Sequence, residues 1–164
     1  MSDDLFNAIY NKSLDLLSRR EHSKKEIKEK LKLRFDNKEL IDSVLLKLLQ
    51  NNLVNDSRFT ESYVLSRKRK GFGPKKIIYE LLSKGVKESI SEAIIAESDD
   101  WERVAKSTFS KKYKDGICSE TKDQLKQKSF LQNRGFRFKE IESVFNEDML
   151  WFKKYVVWGF SKKI

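Results

Sequence analysis

Cysteine, histidine and proline occur once each in these 164 residues, and glycine only six times. Cys118, being alone, can form neither an intramolecular disulfide nor a cysteine-built metal site. One unpaired thiol fits a reducing compartment, so a cytoplasmic protein is expected. A lone His22 excludes a multi-histidine metal centre and argues against a histidine-based triad. No apolar run reaches the roughly 18 residues that a membrane span requires. The start, Met1-Ser2-Asp3-Asp4, is acidic where a secretory leader would be basic. A β-rich fold of this size would need more turn punctuation than this chain holds. The expected class is all-α.

Charge is what the chain has in abundance. Charged residues make up 37% of it, and Lys plus Arg outnumber Asp plus Glu by 35 to 25, a net charge of +10. Such an excess points to an acidic partner, nucleic acid first among them. An aromatic content of 12% argues against a disordered chain.

Apolar spacing predicts helices throughout. Phe6, Tyr10, Leu14 and Leu17 form one stripe, Ile27 and Leu31 a second, and Leu40 to Leu49 a broad third. The pattern recurs at a shift of about 50 residues, the length of a three-helix unit. Ile27 and Leu31 map onto Ile77 and Leu81, and Val44-Leu45 onto Ile94-Ile95 and Val144-Phe145. Lys84-Gly85-Val86 maps onto Arg134-Gly135-Phe136. In the third copy Leu125, Phe130 and Phe138 join the apolar set. The expected organisation is three tandem three-helix repeats, 1–55, 56–98 and 99–147, then a basic-aromatic extension, 148–164. Stacked small units bury a core mainly against neighbours, so an elongated, curved arrangement is expected.

Helix starts agree with this parsing. Ser23-Lys24-Lys25-Glu26 reads as a capping box, and Thr121-Lys122-Asp123-Gln124 as a second. Pro74 suits a first helical position, and Asp56 and Asp100 suit caps. Gly85 and Gly135 stand where a helix must stop and φ may turn positive.

The positive excess is spread over the repeats, yet one segment is dense. From Arg67 to Lys76 the chain reads Arg-Lys-Arg-Lys-Gly-Phe-Gly-Pro-Lys-Lys, with no acidic residue. Its glycines allow close backbone approach, and its cations suit phosphate or another acidic surface. A solvated helix end would look similar, because basic residues suit a helix C-terminus. Arg67, Lys68, Arg69, Lys70, Lys75 and Lys76 are the candidate contacts, with Lys84 and Arg134 at the equivalent turns. Gly71-Phe72-Gly73 lacks the third glycine and the βαβ context of a dinucleotide fingerprint, and no P-loop is present. His22, next to the capping Ser23, reads as a staple or surface residue rather than a catalyst. The acidic residues alternate with basic ones, as on solvated helix faces. No catalytic constellation is found, and no cofactor is expected.

The ordered set of these residues resembles the RecX family, bacterial regulators of the RecA recombinase. The resemblance runs over roughly residues 14–145. It rests on Arg20-Glu21-His22-Ser23 with Glu26-Ile27 and Lys30-Leu31 in the first repeat. In the middle repeat it rests on Leu53-Val54-Asn55-Asp56-Ser57-Arg58-Phe59, Tyr63, Lys70-Gly71-Phe72-Gly73-Pro74 and Lys84-Gly85-Val86. In the third it rests on Lys128, Phe130-Leu131, Arg134-Gly135-Phe136 and Ile141. The resemblance implies three tandem three-helix repeats and a non-enzymatic protein that binds the RecA–single-stranded DNA filament. It implies inhibition of recombinase ATPase and strand exchange, a role in DNA repair, recombination and the SOS response, and no cofactor. A monomer that contacts single-stranded DNA, with double-stranded DNA as a further partner, is expected. Arg58 is a weaker contact candidate, because it could instead pair with a carboxylate and brace the repeat. The competing reading is a general basic helical DNA-binding or architectural module. The extension departs from the family: Trp151, Phe152, Tyr155, Trp158 and Phe160 lie among four lysines. It could stack on bases, sit at a membrane interface or pack on the third repeat.

Overall fold

A computed structural model describes residues 2–146, and among these every regular element is a helix. The expectation for the 148–164 extension lies outside the described residues. The helices are α1 (Ser2–Arg19), α2 (Lys24–Lys32), α3 (Lys38–Gln50), α4 (Asp56–Arg69), α5 (Pro74–Ser83), α6 (Glu88–Glu97), α7 (Trp101–Lys112) and α8 (Thr121–Asn133). Residues 138–146 are also helical and are termed α9. No described helix is long and apolar enough to cross a membrane.

The chain forms two compact units. The first combines residues up to Ser66 with Ile78–Glu97, and the second combines Arg67–Ile77 with the described residues from Ser98 onward. The middle repeat is therefore shared between them. In the first unit Ile9, Ile27, Leu31, Ile41, Val44, Leu45, Leu48 and Val54 form a core. In the second, Val104, Ala105, Phe109, Leu131, Phe136, Ile141, Val144 and Phe145 do the same. Burial of such side chains, roughly 1.5–3 kcal/mol each, is the main force holding either unit.

One turn recurs and explains how helices are joined. After α5, the Gly85 N–H donates to the Leu82 carbonyl and the Val86 N–H to the Leu81 carbonyl, with Gly85 at φ 78°. After α8, the same bonds run from Gly135 to Gln132 and from Phe136 to Leu131, with Gly135 at φ 91°. After α4, Gly71 and Phe72 repeat them onto Lys68 and Arg67. This left-handed stop satisfies carbonyls that a helix end would otherwise orphan. After α3, Asn52 adopts it at φ 54°.

The turns then dock on helix starts. In the first unit the Ser23 hydroxyl donates to the Lys84 carbonyl (2.7 Å). In the second the Gly73 N–H donates to the Arg134 carbonyl (2.8 Å) and the Lys75 N–H to the Gly135 carbonyl (3.0 Å). The second joint demands close backbone approach. A Cβ on Gly73 would lie 2.4 Å from the Gly135 carbonyl carbon, and one on Gly135 would lie 2.4 Å from the Lys76 Cβ.

Capping follows the sequence at some positions and not at others. The Ser23 box forms in full, and α5 begins at Pro74. Thr121 does not cap α8; the helix starts at Thr121 itself, and Gln124 turns to the Cys118 carbonyl (2.7 Å). Asp56 does not cap α4, because its carboxylate accepts the Lys24 N–H (2.9 Å) while Asn55 takes the Arg58 N–H (3.0 Å). Asp100 precedes α7 but makes no capping bond, its carboxylate being drawn to Lys68 and Arg103. In α9, Glu140 is buried and accepts the Arg137 N–H, half of a capping box.

The apolar stripes also shift. In α1 the buried positions are Ile9 and Ser13, while Leu14 is exposed. Leu82, Leu125 and Phe138 are exposed as well, at the flanks of the arcs their helices bury. His22 is buried rather than on the surface.

Gly135→Ala and Gly116→Ala separate backbone strain from docking. Both glycines have positive φ, but a Cβ on Gly116 meets nothing within 4 Å. The Gly116 variant should lose about 1–2 kcal/mol, the cost of a left-handed L-residue. The Gly135 variant should lose at least about 2 kcal/mol more, as overpacking against a backbone does. Urea midpoints at unchanged m-value measure the difference.

Candidate partner-binding surface

The Arg67–Lys76 segment is built from the last turn of α4, the Gly71 stop and the first turn of α5, all in the second unit. Phe72 is its centre. The Arg67 guanidinium lies 3.8 Å from the centroid of the Phe72 ring, the Arg134 guanidinium 4.7 Å and the Lys76 ammonium 5.0 Å. Arg134 also donates to the Lys70 carbonyl (3.1 Å), fixing its fork beside the segment. Each cation–ring contact contributes about 0.5–1 kcal/mol when exposed, and none cancels the positive charge.

The eight sequence candidates divide by what they touch. Arg69, Lys70 and Lys75 are exposed. Arg67, Lys76 and Arg134 are half-buried around Phe72. Lys68 is turned inward: it pairs with Asp100, reaches Ser98 Oγ (3.3 Å) and sits 4.7 Å from the Trp101 ring centroid. Its side chain is only 13% exposed. The second unit thus brings seven of the eight together. Lys84 belongs to the first unit, where it pairs with Glu26 (2.9 Å) and lies 5.4 Å from the Tyr63 ring centroid.

Of the two readings of Arg58 the structure shows the carboxylate pairing, its Nε donating to Glu21 (2.7 Å) and its Nη1 to the Asn52 carbonyl (2.9 Å). Sequence reading missed Lys112, whose ammonium lies 4.0 Å from the Phe130 ring centroid. The short basic run Lys111-Lys112-Tyr113-Lys114 is the signal that could have found it.

Glu26, Asp100 and His22 are among the groups that titrate away from their ordinary values. Burial works to raise the Glu26 carboxyl, but hydrogen bonds from Arg20 and Lys84 outweigh it and hold it below the usual range. The Lys68 hydrogen bond lowers Asp100, against burial and with help from Arg103. Burial lowers His22, whose Nδ1 lies 3.0 Å from the Arg20 carbonyl oxygen and so donates to it. Among the described residues no group of His, Cys, Asp and Glu is arranged to hold a metal ion.

Two family models match the chain. The model for the first three-helix domain of RecX covers residues 10–48, and the model for the second covers 55–95. The regulatory protein RecX of Serratia proteamaculans (strain 568) is 32% identical, over 86% of this chain and 98% of its own length. The chain belongs to the RecX family. The regulatory protein RecX of Halorhodospira halophila is similar too, 31% identical over 83% of this chain and 85% of its own. The crystal structure of RecX from Lactobacillus salivarius superposes with a TM-score of 0.75 at 26% identity, covering 92% of this chain and 99% of that one. The first RecX model takes in the Ser23 capping box and the second takes in the whole Arg67–Lys76 segment.

Lys68→Met and Lys84→Met each leave a partly buried carboxylate short of a partner. Each should cost about 1–2 kcal/mol, a charged hydrogen bond discounted for solvent screening. Arg69→Met, exposed, should cost less than about 0.5 kcal/mol. Urea denaturation compares the three. Because the folded-state pKa of Glu26 is depressed, its stabilising share is present above the ordinary carboxylate range and is lost as pH falls through the folded value. Glu26→Gln should therefore flatten the stability-versus-pH curve below about pH 5, measured by chemical denaturation at stepped pH.

Proposed function

We propose that the protein is a non-enzymatic regulator that binds the RecA–single-stranded DNA filament and inhibits recombinase ATPase and strand exchange. Membership of the RecX family over most of the chain carries this reading, since the similar proteins are named regulatory proteins. The cation cluster around Phe72 supports it, because guanidinium and ammonium groups suit DNA phosphates and acidic protein surfaces. On this reading Arg67, Arg69, Lys70, Lys75, Lys76 and Arg134 face the partner. Lys68 and Lys84 hold the units in shape and act only through them. The protein works as a monomer in the cytoplasm, its three repeats being residues 1–55, 56–98 and 99–147.

A titration of DNA-dependent ATP hydrolysis by RecA tests this. Substoichiometric protein should lower the rate at moderate salt, and the inhibition should survive a modest excess of free single-stranded DNA. No effect over a wide titration contradicts the proposal. Inhibition abolished in proportion to the free DNA supports sequestration by a general DNA-binding module instead. The triple change Arg69→Ala, Lys70→Ala, Lys75→Ala should raise the half-inhibitory concentration roughly tenfold, about 0.5 kcal/mol per exposed charge contact. Its helicity should match that of the parent.

A further inference from the structure

The two units carry depressions that share four equivalent positions but differ in chemistry. In the first, a depression of about 350 Å³ is lined by Glu26, Ser62, Tyr63 and Lys84 among others. In the second, a depression of about 690 Å³ is lined by Lys76, Lys112, Tyr113 and Arg134, with Lys126 and Phe130. Glu26, Ser62, Tyr63 and Lys84 correspond to Lys76, Lys112, Tyr113 and Arg134 at the repeat shift of about 50, whereas Lys126 and Phe130 line the second depression alone. The correspondence is structural as well, because Lys84 and Arg134 end their helices with the same left-handed glycine stop. Each of their carbonyls docks on the start of α2 or α5, 61 residues earlier in the first case and at the same spacing in the second.

What fills these positions differs. In the first groove Glu26 accepts from Lys84 (2.9 Å) and Arg20 (3.0 Å). The Tyr63 hydroxyl donates to a second carboxylate, Glu80 (2.8 Å). Cations and carboxylates cancel there. In the second groove Lys76 stands in place of Glu26, Lys112 in place of Ser62 and Phe130 in place of Glu80. Tyr113 packs edge-on against Phe130, with ring centroids 5.7 Å apart, where its counterpart hydrogen-bonds an acid. Among the described residues no carboxylate pairs with Lys76, Lys112 or Arg134; of the four cations only Lys126 has one, Asp123 (2.8 Å). Like charges gathered without a counterion cost free energy that an anion would recover.

We propose that this second-unit depression is a phosphate site that takes the backbone of single-stranded nucleic acid. The cations would face the phosphate. Phe130, Tyr113 and Leu125, which is 60% exposed, supply apolar surface for a sugar or base. A purely acidic peptide would use the cations and leave that surface idle. The assignment rests on the regulatory reading, to which it adds the group on DNA that one of the contacts meets.

The test is fluorescence anisotropy of a labelled oligo(dT) of about 20 nucleotides with the full chain and no recombinase, at two salt concentrations. The parent should bind, more weakly at higher salt. Lys112→Glu with Lys126→Glu should weaken binding at least about tenfold and flatten the salt dependence. Lys32→Glu with Lys38→Glu, the same charge change at exposed first-unit positions, should weaken it by no more than about twofold. Lys76→Glu, which restores the first-unit pairing with Arg134, should lower affinity without lowering the melting temperature. Equal losses in both double variants, or no loss in the Lys112/Lys126 variant, overturns the site. So does a parent that fails to bind. Displacement of the oligonucleotide by micromolar thymidine monophosphate would assign the pocket to a free nucleotide and overturn the strand assignment; inorganic phosphate should compete only at millimolar levels. Inhibition of RecA ATPase is measured in parallel. If the parent inhibits and the pocket variant still binds DNA normally, the pocket fails and the regulatory reading stands. If the pocket variant loses DNA but the parent never inhibits, the regulatory reading fails and the pocket stands.

Discussion

A backbone carbonyl at a left-handed helix stop, accepting a hydrogen bond from the residue that precedes a helix far earlier in the chain, is the contact on which both units depend. Ser23 with Lys84 makes it in the first unit, and Gly73 with Arg134 makes it in the second. The hydrogen bond itself contributes only about 1 kcal/mol. Its importance is geometric. It fixes where the residue at the helix stop and the residue three places into the receiving helix project, so Lys84 meets Glu26. By the same rule Arg134 and Lys76 share the Phe72 ring. The glycines follow from this contact, because no side chain fits between Gly73 and Gly135.

The same joint therefore carries two electrostatic contents. In the first unit a carboxylate in the capping box collects two cations, and the site closes on itself. In the second unit an aromatic face takes the place of the carboxylate. Its quadrupole holds cations in position without neutralising them. A repeat protein can vary such a position freely, since the backbone bond that builds the joint does not involve the side chains of Lys76 or Arg134. That independence lets one copy be charge-balanced while the other keeps its cations.

The helical class, the repeat period and the Gly85 and Gly135 stops were legible in the sequence, because apolar spacing and φ-permissive residues are local signals. So was the Ser23 capping box. The caps at Asp56, Asp100 and Thr121 were not, because a carboxylate or hydroxyl chooses among competing donors that only tertiary structure brings close. Lys24 takes Asp56, and Lys68 takes Asp100. For the same reason the cation count of the Arg67–Lys76 segment does not show which of its cations are exposed. Lys68 looks the same as Arg69 in sequence, yet one is buried in an ion pair and the other is exposed. Lys112 was missed because its run, Lys111-Lys112-Tyr113-Lys114, is short and its counterpart one repeat earlier is the uncharged Ser62, so only the folded structure sets it beside Lys76 and Arg134.

The central claim is that equivalent joints have diverged into a closed, charge-balanced groove and an open cationic one that meets nucleic acid. Nuclear magnetic resonance of the ¹⁵N-labelled chain during addition of oligo(dT) tests it most directly. The account predicts amide shifts concentrated at Lys76, Lys112, Lys126, Phe130 and Arg134, with Glu26, Ser62 and Lys84 left in place. Shifts centred on the first-unit groove, or spread evenly over the exposed lysines of both units, would contradict it.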